Sequence, residues 1–216
     1  MNRDFEIKQL LCAYRKGMLS EAAFEEEITR LEREAPPAAD HDTPAGFRAF
    51  GRVFRSEREA VAIFLDRIRA AQAESAVGFA RWAEVCRTPG LRTPLWMIAE
   101  REAYHARIFE RRLHEIGAEL RALPTEHERQ LVELLANPEV SDSDKLLWFV
   151  SEVPDPKEAI GPIVDFAGLL TEDLETRQVL RLLAEDELST TVWLRETCVA
   201  LSQNRDAGGL RPPAHQ

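Results

Sequence analysis

Apolar residues recur at three- and four-residue spacing along most of this chain, the period of a helix that buries one face. Leu95, Ile98, Phe109, Leu113 and Ile116 share one such face, and Leu183, Leu194 and Leu201 share another. Capping and breaking residues set the boundaries. Ser56 with Glu59 has capping-box spacing and opens a long helix that runs to about Cys86. Thr93 followed by Pro94 opens the next, and Gly117 closes it. Thr125 with Glu128 caps the shorter segment EHERQLVELLAN, and DKLLWFVSE is a further short apolar helix that ends at Pro154. Asp155 and Pro156 start a helix through about Leu170, with Pro162 as an internal constraint or kink. Thr171 and the acidic run after it begin a final long helix to about residue 202. Four main helices, with one long connection between the second and third, predict an all-α four-helix bundle.

The N-terminal region has its own pattern. Residues 3–34 predict a helical hairpin: Ile7, Leu10, Leu11 and Tyr14 form one stripe, Gly17 breaks it, and Ser20 is the N-cap before Phe24, Ile28 and Leu31. A hairpin this small buries too little to stand alone, so it docks either on the main domain or on a protein partner. The expected organisation is a hairpin (1–35), a linker rich in Pro and small polar residues (36–50), the bundle (51–203) and a disordered tail (204–216). His41 and His215 fall in the linker and tail and are given no role.

Composition narrows the function classes. With 44% hydrophobic and 31% charged residues in 216, the chain has the make-up of a globular domain with a small appendage. A formal net charge of −10 argues against a nucleic-acid partner. No run of about 18 apolar residues exists, so no membrane span is expected, and MNRDFEIKQLL lacks the apolar core of a secretory signal. Cys12, Cys86 and Cys198 are far apart and odd in number, which suits buried thiols in a reducing compartment. The expected location is cytoplasmic. A homodimer, and a protein partner for the hairpin, stay open.

The candidate chemistry lies on the helix faces that should be buried. The second bundle helix carries Glu102 and His105 at the centre of its apolar stripe, and the last carries Glu187 and Thr190 at the centre of its own. The two segments echo each other: AEREAYHARIF (99–109) and AEDELSTTVWL (184–194). An ionised carboxylate in a core costs several kcal/mol unless it is paired or binds a cation. Two of them at equivalent positions of a repeat would meet in one core layer, where a multivalent cation is the simplest way to hold them. Di-iron bundles take one Glu from each of two helices and Glu-x-x-His from each of the other two. Residues i and i+3 share a helix face, so carboxylate and imidazole reach the same ion. Glu102-Ala-Tyr-His105 matches in full, and Glu187-Leu-Ser-Thr190 matches in its carboxylate. The partner glutamates are expected on the preceding helices. Glu74 stands 28 residues before Glu102, and Glu158 stands 29 before Glu187 (102 − 74 and 187 − 158). Asp165 is the alternative ligand, or a hydrogen-bond partner for His105.

On these residues the chain resembles the ferritin-like superfamily over about residues 56–202, with rubrerythrins, aldehyde-deformylating oxygenases and tRNA-modifying hydroxylases sharing the half-repeat. The resemblance implies a ferritin-like bundle with metal ligands at Glu74, Glu102, His105, Glu158 and Glu187. Such a set suits one or two ions of Fe or Mn. Thr190 stands where those relatives have a second histidine, which leaves one metal position weaker or unused. The implied activity is an Fe or Fe/Mn oxidoreductase, a di-iron oxygenase in the fullest case, acting on O2 or peroxide. The other class is a degenerate, non-catalytic ferritin-like protein that serves as an interaction or adapter module.

The rest of the chemistry-bearing residues are assigned no site. There is no Gly-rich phosphate loop, GxSxG elbow or HExxH motif. His114 and His127 are expected at the surface, the four Trp in helix packing, and Tyr104 turned about 100° away from His105.

Overall fold

The structure is a computed structural model, and it describes Leu10, Tyr14 and residues 20–33, 46–153 and 155–208. These residues are mostly helical. In order they form α1 (Glu21–Arg33), β1 (Phe47–Ala49), β2 (Arg52–Phe54), α2 (Glu57–Val85), α3 (Arg92–Glu115), α4 (Glu126–Ala136), α5 (Asp142–Glu152), α6 (Pro156–Leu169) and α7 (Leu174–Gly208). None of the described helices is long and apolar enough to cross a membrane. Cys12, Gly17, His41 and His215 lie outside the described residues.

Each helix expected between Ser56 and residue 202 forms, with local chemistry that explains its start. Ser56 is extended and its hydroxyl accepts from Glu59 N at 3.2 Å. Thr125 and Glu128 complete a reciprocal capping box, with bonds of 3.2 and 2.7 Å. The start of α3 differs from expectation: Leu91 precedes the helix without a side-chain cap, and Thr93 and Pro94 sit inside the first turn. The missing proline N–H costs nothing there, because first-turn donors lack intrahelical partners anyway. Pro162 is buried within α6, which continues through it. The last helix continues past the expected end to Gly208, because QNRDA contains no breaker before the Gly208-Gly209 pair.

The small sheet falls where a linker is expected. β1 and β2 are antiparallel, with Ala49 opposite Arg52, so Phe50-Gly51 is a two-residue turn. Both turn residues have positive φ, 53° and 70°, as the twist of a tight hairpin demands. Glycine adopts this freely, whereas Phe50 is held in it by stacking on Phe64 and Phe166 at 5.1 and 5.0 Å between ring centroids. The N-terminal segment meets the main domain at this turn. Leu10 is fully buried with its side chain against Gly51, and Arg30 Nη2 donates to the Gly51 carbonyl at 3.0 Å. Tyr14 stacks on Phe24 at 4.7 Å, which ties the first segment to α1.

The apolar residues pack as two clusters rather than one. The first joins Phe64 and Leu65 of α2, Phe109 and Leu113 of α3, Phe166 of α6 and Leu180 and Leu183 of α7. The second joins Phe79 and Trp82 of α2, Leu95 and Ile98 of α3, Leu135 of α4, Leu146 of α5 and Leu194 of α7. Gly78 lets α4 close on α2, since a Cβ there would stand 3.0 Å from Leu135 Cδ1. Along α2, α3 and α7 the two clusters are separated by about two helical turns, and that interval carries the polar residues described below.

Three buried carboxylates fasten the connections to this frame. Glu57 accepts from the backbone N–H groups of Thr171, Glu172 and Asp173 at 2.7–2.9 Å, in the turn ahead of α7. Asp66 accepts from Arg121 N and Ala122 N, and Asp142 from Arg87 N, Thr88 N and Trp82 Nε1. Burial by itself would raise the pKa of each, but the hydrogen bonds to the ionised form outweigh it and hold all three below the usual carboxylate range. Their contribution to stability is therefore complete above the unfolded-state values, about 4, and is lost as pH falls through the lower folded-state values. Two results are expected from thermal melts between pH 7 and 3. Asp142→Asn, which leaves its backbone donors facing an amide, lowers stability at pH 7 by about 1–3 kcal/mol. The triple variant E57Q/D66N/D142N flattens the acid limb of the Tm profile; an unchanged limb would refute the assignment.

Candidate metal centre

Between the two apolar clusters α2 contributes Gln72, α3 contributes Glu102 and His105, and α7 contributes Asp186, Glu187 and Thr190. Gln72, Glu102, His105 and Thr190 are all buried, Glu102 with 2% of its surface exposed and His105 with 7%. Glu102, His105 and Glu187 each present a ligand atom within 4.8 Å of the other two, a group that can hold a metal ion.

The hydrogen bonds define which atoms are donors. Gln72 Nε2 donates to Glu187 Oε1 at 2.7 Å, so the other end of that amide, Oε1, is an acceptor. It stands 3.0 Å from His105 Nδ1, which must carry the proton of that bond. The remaining ring nitrogen, Nε2, is then a lone pair in the neutral imidazole, and it faces another acceptor, Asp186 Oδ2, at 3.0 Å. A second acceptor–acceptor contact lies beside it, where the Glu102 carboxyl hydrogen-bonds with the Glu187 carboxyl. Burial, and then the Glu187 charge, push the Glu102 pKa well above the carboxylate range, against a smaller opposing effect of the Arg101 guanidinium. Both contacts need positive charge between the facing atoms, supplied either by protons or by a cation.

Of the five residues carried over from the resemblance, the structure brings Glu102, His105 and Glu187 together and leaves Glu74 and Glu158 outside the cluster. Glu74 is half-buried on α2 two positions beyond Gln72, so it points about 200° away from it around the helix. Gln72 takes the place expected for a first-helix glutamate. Glu158 is exposed in the first turn of α6, and Asp165 is exposed further along it. Thr190 reaches the layer but donates its hydroxyl to its own helix, to the Asp186 carbonyl at 3.2 Å. Gln72 and Asp186 are the residues that sequence reasoning missed. Gln72 was legible as a polar interruption of the α2 stripe between Ile68 and Phe79, but a search for charged ligands passes over an amide. Asp186 is adjacent to Glu187 and about 100° from it on an ideal helix, which reads as outward-facing.

The residues assigned no site behave as expected. His114 and His127 are exposed, His127 with its ring 5.8 Å from Trp148, and Tyr104 projects outward. Trp82 is fully buried, whereas Trp96 is partly exposed. Cys86 and Cys198 are free and buried, and burial raises the Cys86 thiol further. Comparison of the chain with protein-family models, with curated proteins and with solved structures finds no match.

A carboxyl whose folded-state pKa is raised binds its proton more tightly in the folded chain, so stability falls as pH rises from the unfolded value through the folded one. At pH 7.5, Glu102→Gln is therefore expected to raise the Tm of chelator-treated protein, by about 2–4 °C per kcal/mol for a chain of this size. The gain should shrink toward pH 4, where the wild-type carboxyl is already protonated. A lowered Tm at both pH values would contradict the assignment.

Proposed function

We propose that the protein is a ferritin-like metal-binding protein whose centre holds one divalent cation, Fe(II) or Mn(II), between Glu102, His105 and Glu187. The observation that carries this reading is the pair of acceptor–acceptor contacts in a single buried layer, Glu102 with Glu187 and His105 Nε2 with Asp186. Two carboxylates and an imidazole are a hard, mostly oxygen donor set that suits these metals, with water completing the coordination. The pairing of α2 with α3 and of α6 with α7, separated by α4 and α5, supports the ferritin-like reading.

When bound, such an ion supplies a one-electron couple for reducing O2 or peroxide, the oxidoreductase activity the arrangement supports best. The protein's own part is positional. Gln72 grips Glu187 with its amide N–H and His105 Nδ1 with its carbonyl, which fixes the tautomer that leaves Nε2 free to coordinate. The apolar clusters on either side keep water from the layer, so the ligands hold their geometry in a medium of low dielectric.

Thr190 and the exposed position of Glu158 favour a second reading, a non-catalytic relative acting through its N-terminal segment as an interaction module. Metal analysis separates the two. Protein loaded anaerobically with Fe(II) should retain about one iron per chain, lost in Glu102→Ala and His105→Ala, with O2 consumption that depends on the retained metal. Well-folded protein that holds none would sink the metal reading in favour of the interaction module.

A further inference from the structure

We propose that Asp186 is a fourth protein ligand of this centre, the solvent-side carboxylate that receives the cation and closes the site over it. The inference rests on the metal reading above and extends it to a residue the Glu-x-x-His pattern does not contain.

Three observations carry it. The first is access. Glu102 and His105 are almost wholly buried, whereas 46% of the Asp186 side chain is exposed. Asp186 touches His105 directly, so it stands on the solvent side of the imidazole at the seam between α3 and α7. The second is spacing. Two ligand atoms bound at about 2.1 Å and at right angles to one another stand about 3.0 Å apart, the adjacent edge of an octahedron. His105 Nε2 and Asp186 Oδ2 are already 3.0 Å apart. The third is support. Gln72 holds His105 from behind through Nδ1, so Nε2 is the nitrogen directed at Asp186. The other Asp186 oxygen, Oδ1, faces Arg101 Nη1 at 3.9 Å, and that same nitrogen donates to Ser189 Oγ at 3.0 Å. The guanidinium thus restrains one carboxylate oxygen while the other faces the imidazole.

The competing role for Asp186 is to accept a proton from His105 Nε2 and merely orient the ring. Asparagine separates the two roles, because it keeps an acceptor for that hydrogen bond and loses the anionic ligand. The experiment is a titration of chelator-stripped full-length protein with Mn(II), with free Mn(II) followed by electron paramagnetic resonance. The variants are Asp186→Asn, Asp186→Glu and, as a control for net charge, Glu185→Gln on the exposed face of α7. Circular dichroism checks the fold of each. The expected result is binding at least about tenfold weaker in D186N, by the standard of losses at residues supporting a metal site. Binding should be largely restored in D186E and unchanged in E185Q. D186N that binds as tightly as wild type overturns the proposal and leaves the metal reading standing. Wild-type protein that takes up no Mn(II) overturns both, and is distinguishable because every variant then leaves the same free-ion signal.

Discussion

The fold is organised around one unfavourable contact, the meeting of the Glu102 and Glu187 carboxyls in the layer between two apolar clusters. A continuous core through this layer would be more stable, because it would bury methyl groups where the chain buries like charges. The surroundings answer the cost only in part. Gln72 donates to Glu187, and the Arg101 guanidinium eases the field on Glu102, yet Glu102 still stays well above the usual carboxylate range. Natural chains commonly give up stability of this kind where a site needs it. The two clusters supply it, holding α2, α3 and α7 at fixed spacing so that the layer cannot relax by turning its carboxyls outward.

The contrast with the other buried carboxylates sharpens this point. Glu57, Asp66 and Asp142 sit in comparable burial but are matched to backbone N–H donors at helix ends and turns. Those groups are paid for locally and serve the frame. They fasten the turn before α7, the loop after α3 and the end of α2, which together fix the lengthwise position of each helix. Misplacement of α3 against α7 by one turn would separate Glu102 from Glu187, so the structural carboxylates determine whether the functional ones meet.

The departures from a symmetrical two-ion centre all lie on the side away from His105. Thr190 turns its hydroxyl back onto its own helix, Glu158 faces outward, and Gln72 replaces an anion with an amide. An amide in that position satisfies both an imidazole N–H and a carboxylate without adding charge, which a glutamate cannot do. The remaining donors therefore converge on one ion, with Asp186 as the carboxylate nearest solvent.

Periodicity, caps and breakers were enough to determine the helices, because their causes are local: Ser56, Thr125 and Asp155 satisfy the first N–H groups of helices whose buried faces repeat every three or four residues. The same periodicity placed Glu102, His105 and Glu187 on inward faces. It misplaced residues whose setting depends on a distant segment. The hairpin at Phe50-Gly51 needs Phe64 and Phe166 to hold its turn, and no local signal announces them. Glu74 and Gln72 are two residues apart on one helix, and Asp186 and Glu187 are adjacent on another. Which member of each pair enters the layer is decided by helix rotation and by the partner helices α3 and α7, a tertiary constraint. Sequence alone determined that acidic groups and a histidine would be buried together, and packing decided which of them share a site.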